Sequence, residues 1–243
     1  MKQPARTRLL TALLPIALAA GCTSGGAPDG SPMTPSSGNP AEMSPTPAPE
    51  VARYHVTFEA TWSLTSHPQD FPPDPHFSPL VGGTHDAAAA FWRPGSLASG
   101  GIEDMAERGR TSPLVAEIDA AISSGGAERS FVGGNIPSSP GTATVEFDIS
   151  QRYPLVTLVS MIAPSPDWFV GVADLPLFEN AQWVEERIIA LAPWDAGTDS
   201  GETFDSPDET TAPQHVIAPI LTAPLSPGGQ VTPMGRFVFR RIS

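Results

Sequence analysis

The sequence predicts an all-β protein, an antiparallel β-sandwich with a small helical insertion. Three observations lead there. Tyr54, Val56, Phe58, Ala60 and Trp62 alternate strictly with His55, Thr57, Glu59, Thr61 and Ser63, the period of a half-buried strand. About seven apolar stretches of strand length recur along the chain, separated by Pro, Gly and Asp clusters. Helix signals are confined to two short neighbouring segments between residues 101 and 126.

After the strand that opens near Val51, Gly101 to Gly109 reads as a short helix with a glycine at each end. Ser112-Pro113-Leu114 starts a second helix, with Ser as N-cap and Pro at the first position. Its apolar face is Leu114, Ile118, Ala121 and Ile122, and Ser123-Ser124-Gly125-Gly126 stops it. Thr142 to Ile149 is the next strand, with Val145 and Phe147 between polar neighbours. Leu155 to Ala163 is almost continuously apolar, as a central strand buried on both faces requires. Trp168 to Val172, Val184 to Leu191, His215 to Leu221 and Arg236 to Ile242 complete the set. No internal repeat interrupts the pattern, and residues 51–243 are expected to form one domain.

The N-terminal segment reads differently. Lys2, Arg6 and Arg8 precede an apolar stretch from Leu9 to Ala20 that is too short to span a bilayer, so residues 1–21 are expected to be an export signal. Leu18-Ala19-Ala20-Gly21-Cys22 resembles a bacterial lipobox, which implies cleavage before Cys22 and lipid modification of that residue. Cys22 is the single cysteine, so no intramolecular disulfide can form. Residues 22–50, rich in Gly, Ser, Pro and Thr, are expected to be a lipid-anchored disordered linker. The net charge is −13, and loss of the three basic residues of the signal brings it to about −16. That charge excludes nucleic acid as a partner and leaves the N-terminal lipid as the membrane contact.

Carboxylates carry the chemistry. Pro193-Trp194-Asp195-Ala196-Gly197-Thr198-Asp199-Ser200-Gly201 places two aspartates four residues apart on a loop that its glycines let fold back. Clustered oxygens on a bendable loop suit a hard cation such as calcium. Asx turns are the other reading of the same residues. Pro164-Ser165-Pro166-Asp167-Trp168 is a second carboxylate loop upstream. His67, His76 and His85-Asp86 match no compact zinc spacing. Neither a Gly-x-Ser-x-Gly elbow nor a phosphate-binding glycine loop occurs. Glu185 and Glu186 adjoin on an expected strand and so point to opposite faces. The five tryptophans are core residues or, for Trp168 and Trp194 beside the loops, a contact surface.

Several long strings in a fixed order resemble the spondin N-terminal domain family. They are Phe58-Glu59-Ala60-Thr61-Trp62-Ser63, Thr65-Ser66-His67-Pro68-Gln69-Asp70-Phe71-Pro72, His76-Phe77-Ser78-Pro79-Leu80-Val81-Gly82-Gly83-Thr84-His85, Gly100-Gly101-Ile102, the 164–171 stretch and the 193–201 loop with Phe204-Asp205-Ser206-Pro207. The resemblance runs over residues 54–242. It implies an antiparallel β-sandwich with a calcium ion held in loops at one end, and, residue by residue, Asp167, Asp195 and Asp199 as its ligands. The expectation for the chain is a binding or adhesion module with no catalytic residues. The animal members carry cysteines in this domain and thrombospondin-type repeats after it, and this chain has neither.

The expectation is therefore an exported, lipid-anchored, calcium-binding module that contacts a protein or glycan at the cell envelope. The alternatives are a metal-dependent hydrolase built on the same loops, or a structural envelope protein whose calcium only stabilises the fold.

Overall fold

The computed structural model describes residues 47–243. The expected export signal, Cys22 and residues 22–46 of the expected linker lie outside the described residues. The elements follow in the order β1 (Val51–Ala60), β2 (His76–Phe77), β3 (Val81–His85), α1 (Gly100–Arg108), α2 (Ser112–Ser124), β4 (Ala127–Val132) and β5 (Gly141–Ser150). Then come β6 (Leu155–Ala163), β7 (Trp168–Pro176), β8 (Phe178–Glu179), β9 (Gln182–Trp183), β10 (Glu186–Ala190), β11 (Trp194–Asp195), β12 (Ala218–Pro219) and β13 (Gly235–Arg241).

Two antiparallel sheets face one another. One has the order β10-β13-β1-β5; the other runs β12-β11-β7-β6-β3-β4, with β2 also paired to β6. The period-two reading of β1 holds: Tyr54, Val56 and Phe58 are fully buried, while His55, Thr57 and Glu59 face outward. Val56 and Phe58 meet Val156, Leu158 and Val170 of the second sheet in the main core. The outward face of the first sheet is laced with ion pairs, Glu59–Arg236 and Glu186–Arg240 among them. Each is exposed and contributes at most about 1 kcal/mol.

β6 explains its own continuous hydrophobicity. Val156, Leu158 and Ile162 point into the sandwich, and Val159, Met161 and Ala163 point to the other face, where Ile102, Met105, Leu114 and Ile118 of the two helices cover them. The helical insertion is thus a third layer over one sheet. Ile118 approaches β3 so closely that a Cβ on Gly83 would lie 2.7 Å from its Cγ2. The glycine pair in Val81-Gly82-Gly83-Thr84-His85 weakens the strand signal, yet Gly83 is required by the close approach of the helix and Gly82 by that of the β6 backbone at Thr157 and Leu158.

The helix ends differ in detail from expectation. Thr111, not Ser112, is the N-cap of α2, and its side chain makes no capping bond. α1 is capped by Ser99, whose Oγ accepts from Ile102 N at 3.2 Å. Glu117 of α2 completes this cap by accepting from Ser99 Oγ (2.6 Å) and Gly101 N (2.7 Å). The expected strand over His215 to Leu221 shrinks to Ala218–Pro219, because Pro219 cannot donate to a ladder.

Candidate metal centre

Asp167 sits in the turn between β6 and β7, and Asp195 ends β11, paired with Trp168 at the start of β7. Asp199 follows four residues later, bridged to Thr210. Pairing of β11 with β7 therefore carries both carboxylate loops to the same end of the second sheet. Gly197 makes the turn between Asp195 and Asp199 with φ +76°, and a Cβ there would collide with the His215 carbonyl.

Asp167 is fully buried. Its Oδ2 accepts from Thr198 N (2.7 Å), Asp199 N (3.1 Å) and the Thr198 hydroxyl (3.2 Å). Its Oδ1 is buried with no hydrogen-bond partner. Burial pushes the Asp167 carboxyl up to about 6; the neighbouring charge of Asp195 adds to the rise, and the Thr198 and Asp199 donors oppose it. Asp195 is also held above its usual range, first by burial and, more weakly, by Asp199, with Gly197 N and His215 pulling the other way. Glu107, at the end of α1, belongs to the same electrostatic group: burial raises it, Thr198 and Arg108 lower it, and Asp199 is among the charges that raise it. Nothing in the spacing of Glu107 announced this, because the helix layer brings it in from about ninety positions away.

Asp195 and Asp199 also cap local backbone. Asp195 Oδ1 accepts from Gly197 N (2.8 Å), Asp199 Oδ1 from Gly201 N (2.7 Å) and Asp199 Oδ2 from Glu209 N (2.9 Å). Among the described residues no three His, Cys, Asp or Glu side chains already converge as a ligand set. The residues fit a calcium ion in donor chemistry, since all are oxygen ligands and carboxylate oxygens bound to one N–H keep a lone pair. They also fit in charge, since Asp167 Oδ1 is a buried acceptor without a donor. A cleft of about 430 Å³ opens beside Asp195, walled by Asp70, Glu202, Thr203, Trp168 and Ile220.

The histidines weighed for zinc are satisfied separately. His67 contacts Ser66 Oγ (2.9 Å) and the Thr232 carbonyl (3.2 Å), His76 the Asp74 carbonyl (2.8 Å), and His85 the Asp86 carbonyl and Thr157 Oγ1 (both 2.9 Å). Trp62, Trp92, Trp168 and Trp183 are buried, and Trp194 is half-buried against Trp92, so packing is their principal role.

Residues 52–228 match the Spondin_N family. The chain is 39% identical to human Spondin-2 over 180 residues, covering 71% of this chain and 54% of that protein. It is 40% identical to rat Spondin-2 over 177 residues, with the same coverage. With rat Spondin-1 the identity is 35% over 209 residues, 79% of this chain and 26% of the relative. The chain thus spans about half the length of the Spondin-2 relatives it matches. The expected sandwich, its loops in order and the extent of these matches agree: the chain belongs to the spondin N-terminal domain family.

Proposed function

We propose that this protein is an exported, lipid-anchored spondin-type module that binds calcium through Asp167, Asp195 and Asp199 and acts in binding or adhesion at the cell envelope, without catalysis. The observation that supports the ion is Asp167 Oδ1, a buried carboxylate oxygen that lacks a partner beside a second raised carboxylate. A bound calcium supplies the +2 charge that lets these carboxylates stay ionised in a buried loop. Asp167 anchors the 198–199 backbone, Asp195 faces the cleft, and Asp199 ties the loop to residues 201 and 209. In this reading the loops and their cleft are the surface offered to a protein or glycan.

Calorimetric titration of calcium into chelator-stripped protein, with magnesium as control, is expected to show one-to-one binding selective for calcium and a rise in melting temperature. The Asp195→Ala/Asp199→Ala double variant is expected to lose both. No heat and no thermal shift in the native protein would leave the aspartates as turn caps alone. Export and anchoring rest on the 1–22 sequence, and Cys22→Ser is expected to move the protein from the membrane to the soluble fraction after cell lysis. Retention in the membrane fraction would refute the anchor.

A further inference from the structure

From the groove beside Trp183 we infer that the protein carries a built-in latch for the proline-rich segment that precedes β1, committed to Pro47-Ala48-Pro49, which fixes the point where the chain enters the domain. Three donor groups make four hydrogen bonds to three successive carbonyls just before β1. Gln151 Nε2 donates to the carbonyls of Ala48 (3.1 Å) and Pro49 (2.9 Å), Trp183 Nε1 to that of Pro49 (2.8 Å), and Gln151 N to that of Glu50 (2.9 Å). Pro47 and Pro49 have no N–H to offer, so a wall made of donors alone complements such a segment. Ala48 packs against the main core, and Trp183 is buried edge-on to Phe178 (4.9 Å) and Tyr54 (6.5 Å).

The groove continues past the contacts already made. A cavity of about 440 Å³ remains beside Pro47, bounded by Asn180, Ala181, Gln182, Trp183 and the Glu185–Arg241 ion pair. The Asn180-Ala181 turn that shapes it holds both residues at positive φ, +52° and +60°. Pro47, Ala48 and Pro49 line one side of this cavity.

Position gives the latch its consequence. It holds the start of β1, whereas Trp62, just past the end of β1, packs on Phe204, which packs on Trp168 beside Asp167. A ten-residue strand spans about 33 Å. The Pro47–Glu50 stretch therefore enters β1 at the pole opposite the aspartate loops. This geometry does not rest on the loops binding an ion.

The test is digestion of the full chain by a glutamate-specific protease, followed at the Glu50–Val51 bond. Trp183→Phe keeps a ring in the pocket and removes the donor; Gln151→Ala removes the two side-chain bonds at the surface. Each is expected to speed cleavage after Glu50 by about tenfold over the native chain, the worth of one hydrogen bond in local opening. Melting temperature reports whether the domain itself stays folded. Unchanged cleavage in both folded variants would overturn the latch. So would a native chain cut after Glu50 as fast as it is in urea.

Discussion

Replacing Asp167 by Asn is expected to stabilise the calcium-free protein at pH 7.5 and to abolish its stabilisation by calcium. Asn keeps an oxygen for the Thr198 and Asp199 amides and removes a charge that is fully buried beside Asp195. The native carboxyl binds its proton with a pKa raised from 3.8 to about 6. The native state therefore holds this proton more tightly than the unfolded chain does. The associated stability is complete below 3.8, and it is lost as the pH rises through about 6. Over that window the ion-free native protein should lose on the order of 2 kcal/mol that the Asn variant keeps. At about 2–4 °C per kcal/mol, the variant should melt roughly 5 °C higher at pH 7.5, with the gap closing near pH 4. Calcium binds the ionised carboxylate, so native affinity should climb as the pH passes 6. Melting curves from pH 4 to pH 8, with chelator and with calcium, give all of these readings. An Asn variant that melts lower than the native protein at pH 7.5 without calcium would mean that the charge is not destabilising there.

Trp62→Ala is expected to cost about 3–5 kcal/mol, a fall of roughly 10–15 °C in melting temperature. Trp62 is fully buried at the end of β1, within 5.7 Å, centroid to centroid, of Phe71, Phe77 and Phe204. Its loss opens a cavity that none of these rings can fill without leaving its neighbours. Phe204 in turn meets Trp168 edge-to-face, next to Asp167, so the same cavity reaches the floor of the carboxylate loops. Calcium affinity should therefore fall along with stability. Trp62→Phe should lose less than half as much, because the indole N–H has no hydrogen-bond partner to forfeit. Chemical denaturation of the three proteins checks the order. Equal losses for Ala and Phe would mean that the ring contacts are not what holds this end of the sandwich.

Parts of the fold could be read directly because they follow from local pattern. The alternation from Tyr54 to Trp62 marks β1, and its partners simply cover the face that the pattern defines. The apolar run from Leu155 to Ala163 called for cover on both faces, which the facing sheet and the helices supply. Gly125 ends α2 in the left-handed conformation expected of it. Other parts were hidden. β3 carries two glycines, a poor strand signal, because α2 presses on Gly83 and the β6 backbone on Gly82. β4 is short, at the sheet edge and only lightly buried, so it lacks the alternation that would mark it. The Pro47–Glu50 stretch reads as linker by composition, yet Gln151 and Trp183 hold it from a hundred or more positions away.

The carboxylate loops divide along the same line. Their residue types, their glycines and their order along the chain are local properties, written in the sequence as short strings. Whether three aspartates act as turn caps, as a charge cluster or as both depends on which N–H groups and which other carboxylates surround them. Pairing of β11 with β7 and the reach of Glu107 from α1 decide that. Periodicity and turn chemistry act over a few residues, so the sequence by itself determined the longer patterned strands, the helical insertion and the carboxylate loops. Burial and desolvation arise between distant segments, so only the tertiary structure decided that Asp167 holds a partnerless oxygen and a raised pKa, and that Trp183 grips the Pro49 carbonyl just before β1.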